Sequence, residues 1–223
     1  MGEQIDPAAS QRAVTPAEGA PGLPRSISRP KLLIGEGDAE QAFLLALPRH
    51  MKLTDIAVEH CGGKDNLRNY LHTLKTRAEF VRGDLISVGI VRDADDDCSA
   101  AFQSVCAALQ NESLPSPPTV ASAALGRPAV AIFVMPGGNR PGMLETLCME
   151  SVAADPAVQC VDAFVDCIKS KGFAAKPLPK VRARAWLATR PKPDIPVGPA
   201  AREGYWNFDH ACFDLIKAFI RAL

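Results

Sequence analysis

The sequence predicts an α/β fold, a mainly parallel central sheet flanked by helices with a helical C-terminal extension. From Lys31 onward, short apolar runs alternate with amphipathic stretches, the pattern of successive βα units. Two runs, LISVGIVRD (85–93) and AVAIFVMP (129–136), are apolar at successive rather than alternate positions, as strands covered on both faces are. Beyond Asp155 the pattern is helical and less regular, and no internal repeat is visible.

Residues 1–29 are rich in Ala, Pro and Gly without periodicity and are expected to form a disordered leader. The opening residues show neither the apolar core nor the basic start of a secretory signal. One domain is expected over 30–223, its helical part from about residue 156. KLLIG (31–35) is the first strand, and DAEQAFLLALPRH follows with helical spacing and acids in its first turn. DIAVEHC (55–61) is the second strand. GGKDNLRNYLHTLKTRAEF then carries Leu67, Leu71 and Leu74 at helical intervals. Strand 85–93 leads to the helix DCSAAFQSVCAALQN (97–111) and the loop ESLPSPPTVASAALGRP. Strand 129–136 gives way through GGNRPG to the helix MLETLCMESVAA. AVQCVDAFVDCIKS, PKVRARAWLAT, a Pro-rich loop and FDHACFDLIKAFIRAL close the chain.

Lys plus Arg and Asp plus Glu number 25 each in 223 residues, so any nucleic-acid contact needs a local basic patch. The seven cysteines are odd in number, scattered and without a CxxC pair, and the four histidines show no ligand spacing. A structural zinc site is not expected, and reduced cysteines point to a cytoplasmic protein. No apolar run approaches a membrane span.

In open parallel sheets, ligand and catalytic groups gather outside the carboxyl ends of the strands. Reading those ends yields Glu36 after the first strand, Asp93 and Asp95 in VRDADDD after the third, and Glu145 beyond the glycine loop after the fourth. Carboxylates crowded at one edge repel, at a cost on the order of several kcal/mol unless a cation sits among them. All-oxygen donors suit Mg²⁺ or Mn²⁺. The bland reading of DADDD is a helix N-cap, which Asp96 or Asp97 can supply. The acids at the matching edge favour the metal. An EF-hand loop from Asp93 fails, because Cys98 and Ser104 stand where Gly and Glu are required.

Gly62 and Gly63 can offer backbone amides, and Lys64 an ammonium, to a phosphate; they can equally make a tight turn with a solvated Lys. Asn139 and Arg140 lie in the loop before Glu145, where substrate contact competes with an ordinary loop role. The basic run KVRARAW (180–186) either follows a nucleic-acid backbone or is a solvated helix face. Trp186, Trp206 and Phe208 read as packing aromatics rather than base-stacking platforms.

The ordered set LLIGEGDAEQAF, GGKDNL, VGIVRDADDD, VMPGGNRPGMLETL and GYWNFDHACFDLIKAFI resembles a family of small stand-alone Toprim-like proteins with no assigned function. These are related to the Toprim domains of overcoming-lysogenization-defect nucleases, primases and topoisomerases. The likeness spans roughly 31–223. It implies metal-dependent phosphodiester chemistry on nucleic acid, DNA or RNA, with Glu36 as ligand or general acid/base and Asp93 and Asp95 as metal ligands. In the nuclease branch a further Glu, here Glu145, completes a second metal site. Glu36 and Lys64 are thus the candidate catalytic residues, and Glu36, Asp93, Asp95 and Glu145 the candidate metal ligands. With two tyrosines in the chain, Tyr70 and Tyr205, transesterification has little support. Two other classes stand beside the nuclease: a non-catalytic nucleic-acid or nucleotide binding module, and a Toprim subunit of a defence or toxin assembly, with a second copy or a protein partner.

Overall fold

The structure, a computed structural model, describes residues 26–173 and 176–223. The expected leader lies outside the described residues as far as residue 25. Of the residues that follow, Ser26 donates its hydroxyl to Glu79 and Ile27 is buried.

β1 (Lys31–Gly35), β2 (Ile56–His60), β3 (Ser87–Asp93), β4 (Ala123–Ala124) and β5 (Ala129–Met135) form one sheet in the order β2-β1-β3-β5-β4. All neighbours are parallel except β4, which runs antiparallel to β5. β4 falls in the segment expected to be loop. Two alanines carry no strand signal of their own, and it is the free edge of β5 that recruits them.

The sheet separates two apolar layers by strict alternation. Leu33, Val91, Ala131, Phe133 and Met135 face one layer; Leu32, Ile34, Val88, Ile90, Val130, Ile132 and Val134 face the other. The first layer is covered by α1 (Asp38–His50), α5 (Leu144–Glu150), α6 (Ala157–Ser170), α7 (Leu178–Leu187), α8 (Val197–Ala200) and α9 (Asp214–Ala222). The second is covered by α2 (Leu67–Thr76) and α4 (Cys98–Asn111). The C-terminal helices therefore pack on the sheet. Trp186 stacks on Trp206 with ring centroids 4.9 Å apart, and both are buried together with Phe208, as packing aromatics are.

Local boundaries follow recognisable chemistry. Asp97 caps α4, its carboxylate accepting from the Ala100 amide at 2.9 Å. The helical stretch expected over 62–80 is divided into a 3-10 turn at Lys64–Asn66, α2 and the short α3 (Ala78–Val81), because Arg77 takes an extended conformation. Leu67, Leu71 and Leu74 are the buried stripe of α2, as their spacing predicts.

The contact between α2 and the end of α4 is ionic. Glu112, buried, accepts from His72 at 3.1 Å and Arg68 at 3.4 Å and pairs with Lys75 at 3.0 Å. The hydrogen bonds of Lys75 and His72 hold its carboxyl down at about 2. A depressed folded pKa contributes stability that is present above the unfolded value and lost as pH falls through the folded one. Glu112→Gln is expected to melt at lower temperature than wild type at neutral pH. The gap should close as pH falls from about 4.5 toward 2, and a pH-independent gap in thermal melts would contradict this account.

Candidate functional site

The carboxyl ends of β1, β3 and β5 bring loops 36–37, 94–97 and 136–143 to one edge. Gly35 ends β1 against the first turn of α1, where an added Cβ would meet the Glu40 Cβ at 2.8 Å. Glu36 therefore leaves the strand as α1 begins. Its carboxylate lies 3.4 Å from the Arg92 guanidinium, projected by β3.

Asp93 is the last residue of β3, paired in register with Met135 of β5. It is 8% exposed, and its Oδ1 accepts from the Leu144 amide at 3.0 Å, the first residue of α5. The next residue of that helix, Glu145, is also 8% exposed, and its Oε2 is buried without a hydrogen-bond partner. Burial raises the Asp93 pKa well above the ordinary carboxylate value, and Glu40, Glu145 and Glu36 raise it further. Burial likewise raises Glu145, with Glu40 adding to it and Lys180 and Arg184 opposing. Glu36 is raised by burial against the pull of Arg92.

Asp95 occupies a different place. Its φ of 50° turns the chain out of the strand, and its backbone bridges to Gly142, whose amide donates to the Asp95 carbonyl at 2.7 Å. Its exposed side chain lies 3.9 Å from the Lys64 ammonium and adds to the charge that raises Glu36. The edge thus holds buried Asp93 and Glu145 with half-buried Glu40 acting on both, and a more open group, Asp95 with Lys64. Glu36 and Arg92 connect the two. The simple strand alternation that would aim Asp93 and Asp95 together is broken by the left-handed turn at Asp95.

Other sequence candidates are engaged locally. Gly62 and Gly63 both have positive φ, and the Gly63 amide donates to the Glu36 carbonyl at 2.8 Å, which ties the second loop to the first. Arg140 makes a bidentate pair with Glu150 at 2.6 and 2.7 Å. Asn139 lines a separate cavity with Asp96, Asp97 and Cys98.

Glu40 is the site residue that the sequence reading missed. An acid in a helix's first turn reads as a dipole or capping residue, and Glu40 does accept from the Gly37 amide at 2.8 Å. Its place four residues after Glu36, in the first turn of the helix that follows the same strand end, was the available signal. A cavity of about 370 Å³ opens beside Glu145, lined also by Lys180, Arg184 and residues 193–197. A larger cavity, about 670 Å³, lies at the far end of α1 around Arg49 and His50, away from the acids.

Among the described residues no three His, Cys, Asp or Glu side chains stand close enough to hold one ion as placed. The donor set still fits a hard divalent cation: it is all oxygen, mutually repulsive, and includes a buried carboxylate oxygen with no partner.

The chain matches, over residues 30–223, the family described as "Protein of unknown function (DUF3226)". No curated protein matches it. Structures of the C-terminal region of the OLD protein of Xanthomonas campestris pv. campestris, phased with mercury and with iodine, are similar at 14% identity each, with TM-scores of 0.35 and 0.37. Each alignment covers 86% of this chain, and 99% and 98% of those chains respectively. Among the described residues no helix is long and apolar enough to cross a membrane.

Proposed function

The chain belongs to the DUF3226 family, and from its acidic edge we propose that it is a Toprim-type enzyme performing Mg²⁺- or Mn²⁺-dependent hydrolysis of a phosphodiester in nucleic acid. The observation that carries the reading is Asp93, a carboxylate buried beside three others with no cation of the protein bonded to it. A fold tolerates such repulsion where a bound cation relieves it.

On this reading Asp93 and Glu145 hold the ion, with Glu40 and Asp95 completing its oxygen shell and Glu36 left free to act on the water. A bound divalent cation polarises the phosphoryl group and lowers the pKa of an attacking water. Glu36, whose basicity burial raises, is suited to take that water's proton. Arg92, held to the Lys64 carbonyl, places its positive charge 3.4 Å from the Glu36 carboxylate, and Lys64, exposed beside Asp95, offers its ammonium to a phosphate oxygen.

A non-catalytic binding module, acting alone or within a defence or toxin assembly, is the second reading. It is favoured by the Glu36–Arg92 and Lys64–Asp95 pairs, which neutralise part of the edge without a metal. Calorimetric titration of Mn²⁺ and Mg²⁺, run beside cleavage of labelled single- and double-stranded DNA and RNA, separates the two. The nuclease binds metal and cleaves in a metal-dependent way, and Glu36→Gln retains the metal while losing cleavage by about 100-fold or more. Binding of metal or nucleic acid without cleavage would establish the module instead.

A further inference from the structure

The two edges of the sheet are finished differently. β5 is closed by β4, two residues held antiparallel against it, whereas β2 ends the other side with five residues and no strand beyond it among the described residues. Parity identifies the backbone groups left over. Lys31 donates its amide to the Asp55 carbonyl and Cys61 donates to the Gly35 carbonyl, so the odd residues of β2 turn their backbone groups toward β1. The amides and carbonyls of Ile56, Val58 and His60 therefore point away from the sheet. Among the described residues the Val58 carbonyl alone of these is engaged, accepting from the Gln41 side chain at 3.2 Å, and its second lone pair stays open.

The devices that blunt an edge are missing from this one. Ile56–His60 holds no Pro and no Lys, and its register with β1 runs without a bulge. Its acid, Glu59, is turned to Arg77, which donates to it at 2.7 Å, while Tyr70 donates from the same side. Nor is the edge covered. A cavity of about 550 Å³ straddles the strand, walled by Gln41 and His60 on one face and by Ala57, Tyr70 and Arg77 on the other. Ser26–Ser28 pass beside it without a backbone hydrogen bond to β2.

The occupant that fits is the same strand reversed. Turned about Val58, a second β2 sets Val58 against Val58 and Ile56 against His60, and each pair exchanges two backbone hydrogen bonds. On one face the apolar Ile56 and Val58 line the seam. On the other Ala57 comes opposite Glu59, whose charge Arg77 balances, so no like charges stand directly opposite. The strand thus complements itself in backbone and in charge, as an isologous interface requires and an unrelated segment does not. We propose that β2 pairs antiparallel with β2 of a second copy about a two-fold axis at Val58, which makes one continuous sheet through the dimer. The pairing goes beyond the phosphodiester reading and does not depend on it. Because it reverses strand direction, it sends the two acidic edges to opposite sides of the dimer.

Amide hydrogen exchange of the full chain across a range of protein concentrations, read beside sedimentation, tests the pairing. Protection of the Ile56, Val58 and His60 amides should rise with concentration in step with the dimer fraction. Two charge variants then locate the axis. Val58→Lys and Val58→Asp each set like charges opposite one another at the two-fold and should weaken self-association by about tenfold or more, and an equal mixture of the two should restore a dimer within about threefold of wild type. The exchange result needs no substitution, so it decides the matter even where a variant fails to fold. Protection absent at every concentration overturns the proposal. Protection that is equal at every concentration also overturns it, because it assigns the edge to a segment of the same chain. A dimer whose affinity survives both variants places the contact elsewhere and overturns it as well.

Discussion

Asp93→Asn is expected to remove metal-dependent cleavage by about 100-fold or more while leaving the metal-free fold as stable as wild type or more so. Asparagine keeps the oxygen that accepts from the Leu144 amide, so the start of α5 loses little. It removes the charge that burial, Glu40, Glu145 and Glu36 all disfavour. A carboxyl whose folded pKa is raised contributes stability present below its unfolded value and lost as pH rises through the folded one. Metal-free wild type should therefore lose stability relative to Asp93→Asn as pH increases from about 4 toward neutrality. Mn²⁺ should reverse the order, since a ligand stabilises the state that binds it. Thermal melts of both proteins from acid to neutral pH, with and without Mn²⁺, read the whole pattern. If Asp93 serves only to accept from the Leu144 amide, Mn²⁺ will change the stability of neither protein.

Gly198→Ala should produce the second large effect, from outside the acidic edge. α8 crosses the first turn of α1 so closely that a Cβ at Gly198 would stand 2.1 Å from the Ala39 carbonyl oxygen. The obstacle is backbone, so the helices must separate, at a cost of about 3 kcal/mol. For a domain of this length that corresponds to a fall in Tm of roughly 6–12 °C. Ala39 sits between Asp38 and Glu40, so a displacement of the first turn of α1 shifts Glu40, whose charge acts on Asp93. Affinity for Mn²⁺ should weaken even at temperatures where the variant is fully folded. A variant with wild-type Tm and wild-type titration would show that α8 does not position the site.

The second effect marks where sequence reading stops. Leu33 against Leu32 and Ile34, Val91 against Val88 and Ile90, announce strands whose two faces are both buried, and Leu67, Leu71 and Leu74 announce a helix. These are local periodicities, so the α/β class and the parallel sheet could be read from the chain alone. The position of Glu36, Asp93 and Glu145 at one edge was equally legible, because strands in a parallel sheet end on the same side. β4 and α8 were not, because each is held by a neighbour rather than by its own residues. Ala123–Ala124 takes its hydrogen bonds from β5, and α8 is four residues of a Pro-rich segment lodged against α1.

The site divides along the same line. Residue order supplies the carboxylates and the strand ends that carry them. Which acids share one buried group depends on the turn at Asp95, the amide of Leu144 and the reach of Glu40, and none of these is a property of a sequence window. The two faces of α7 were likewise indistinguishable in KVRARAW. Periodicity states that four cations project from a helix and its end; packing alone leaves Arg182 and Arg190 in ion pairs and turns Lys180 and Arg184 toward Glu145. Charge interactions act through space over distances that the chain closes only when it folds, and that is why the chemistry of this edge is a tertiary property while its fold is a local one.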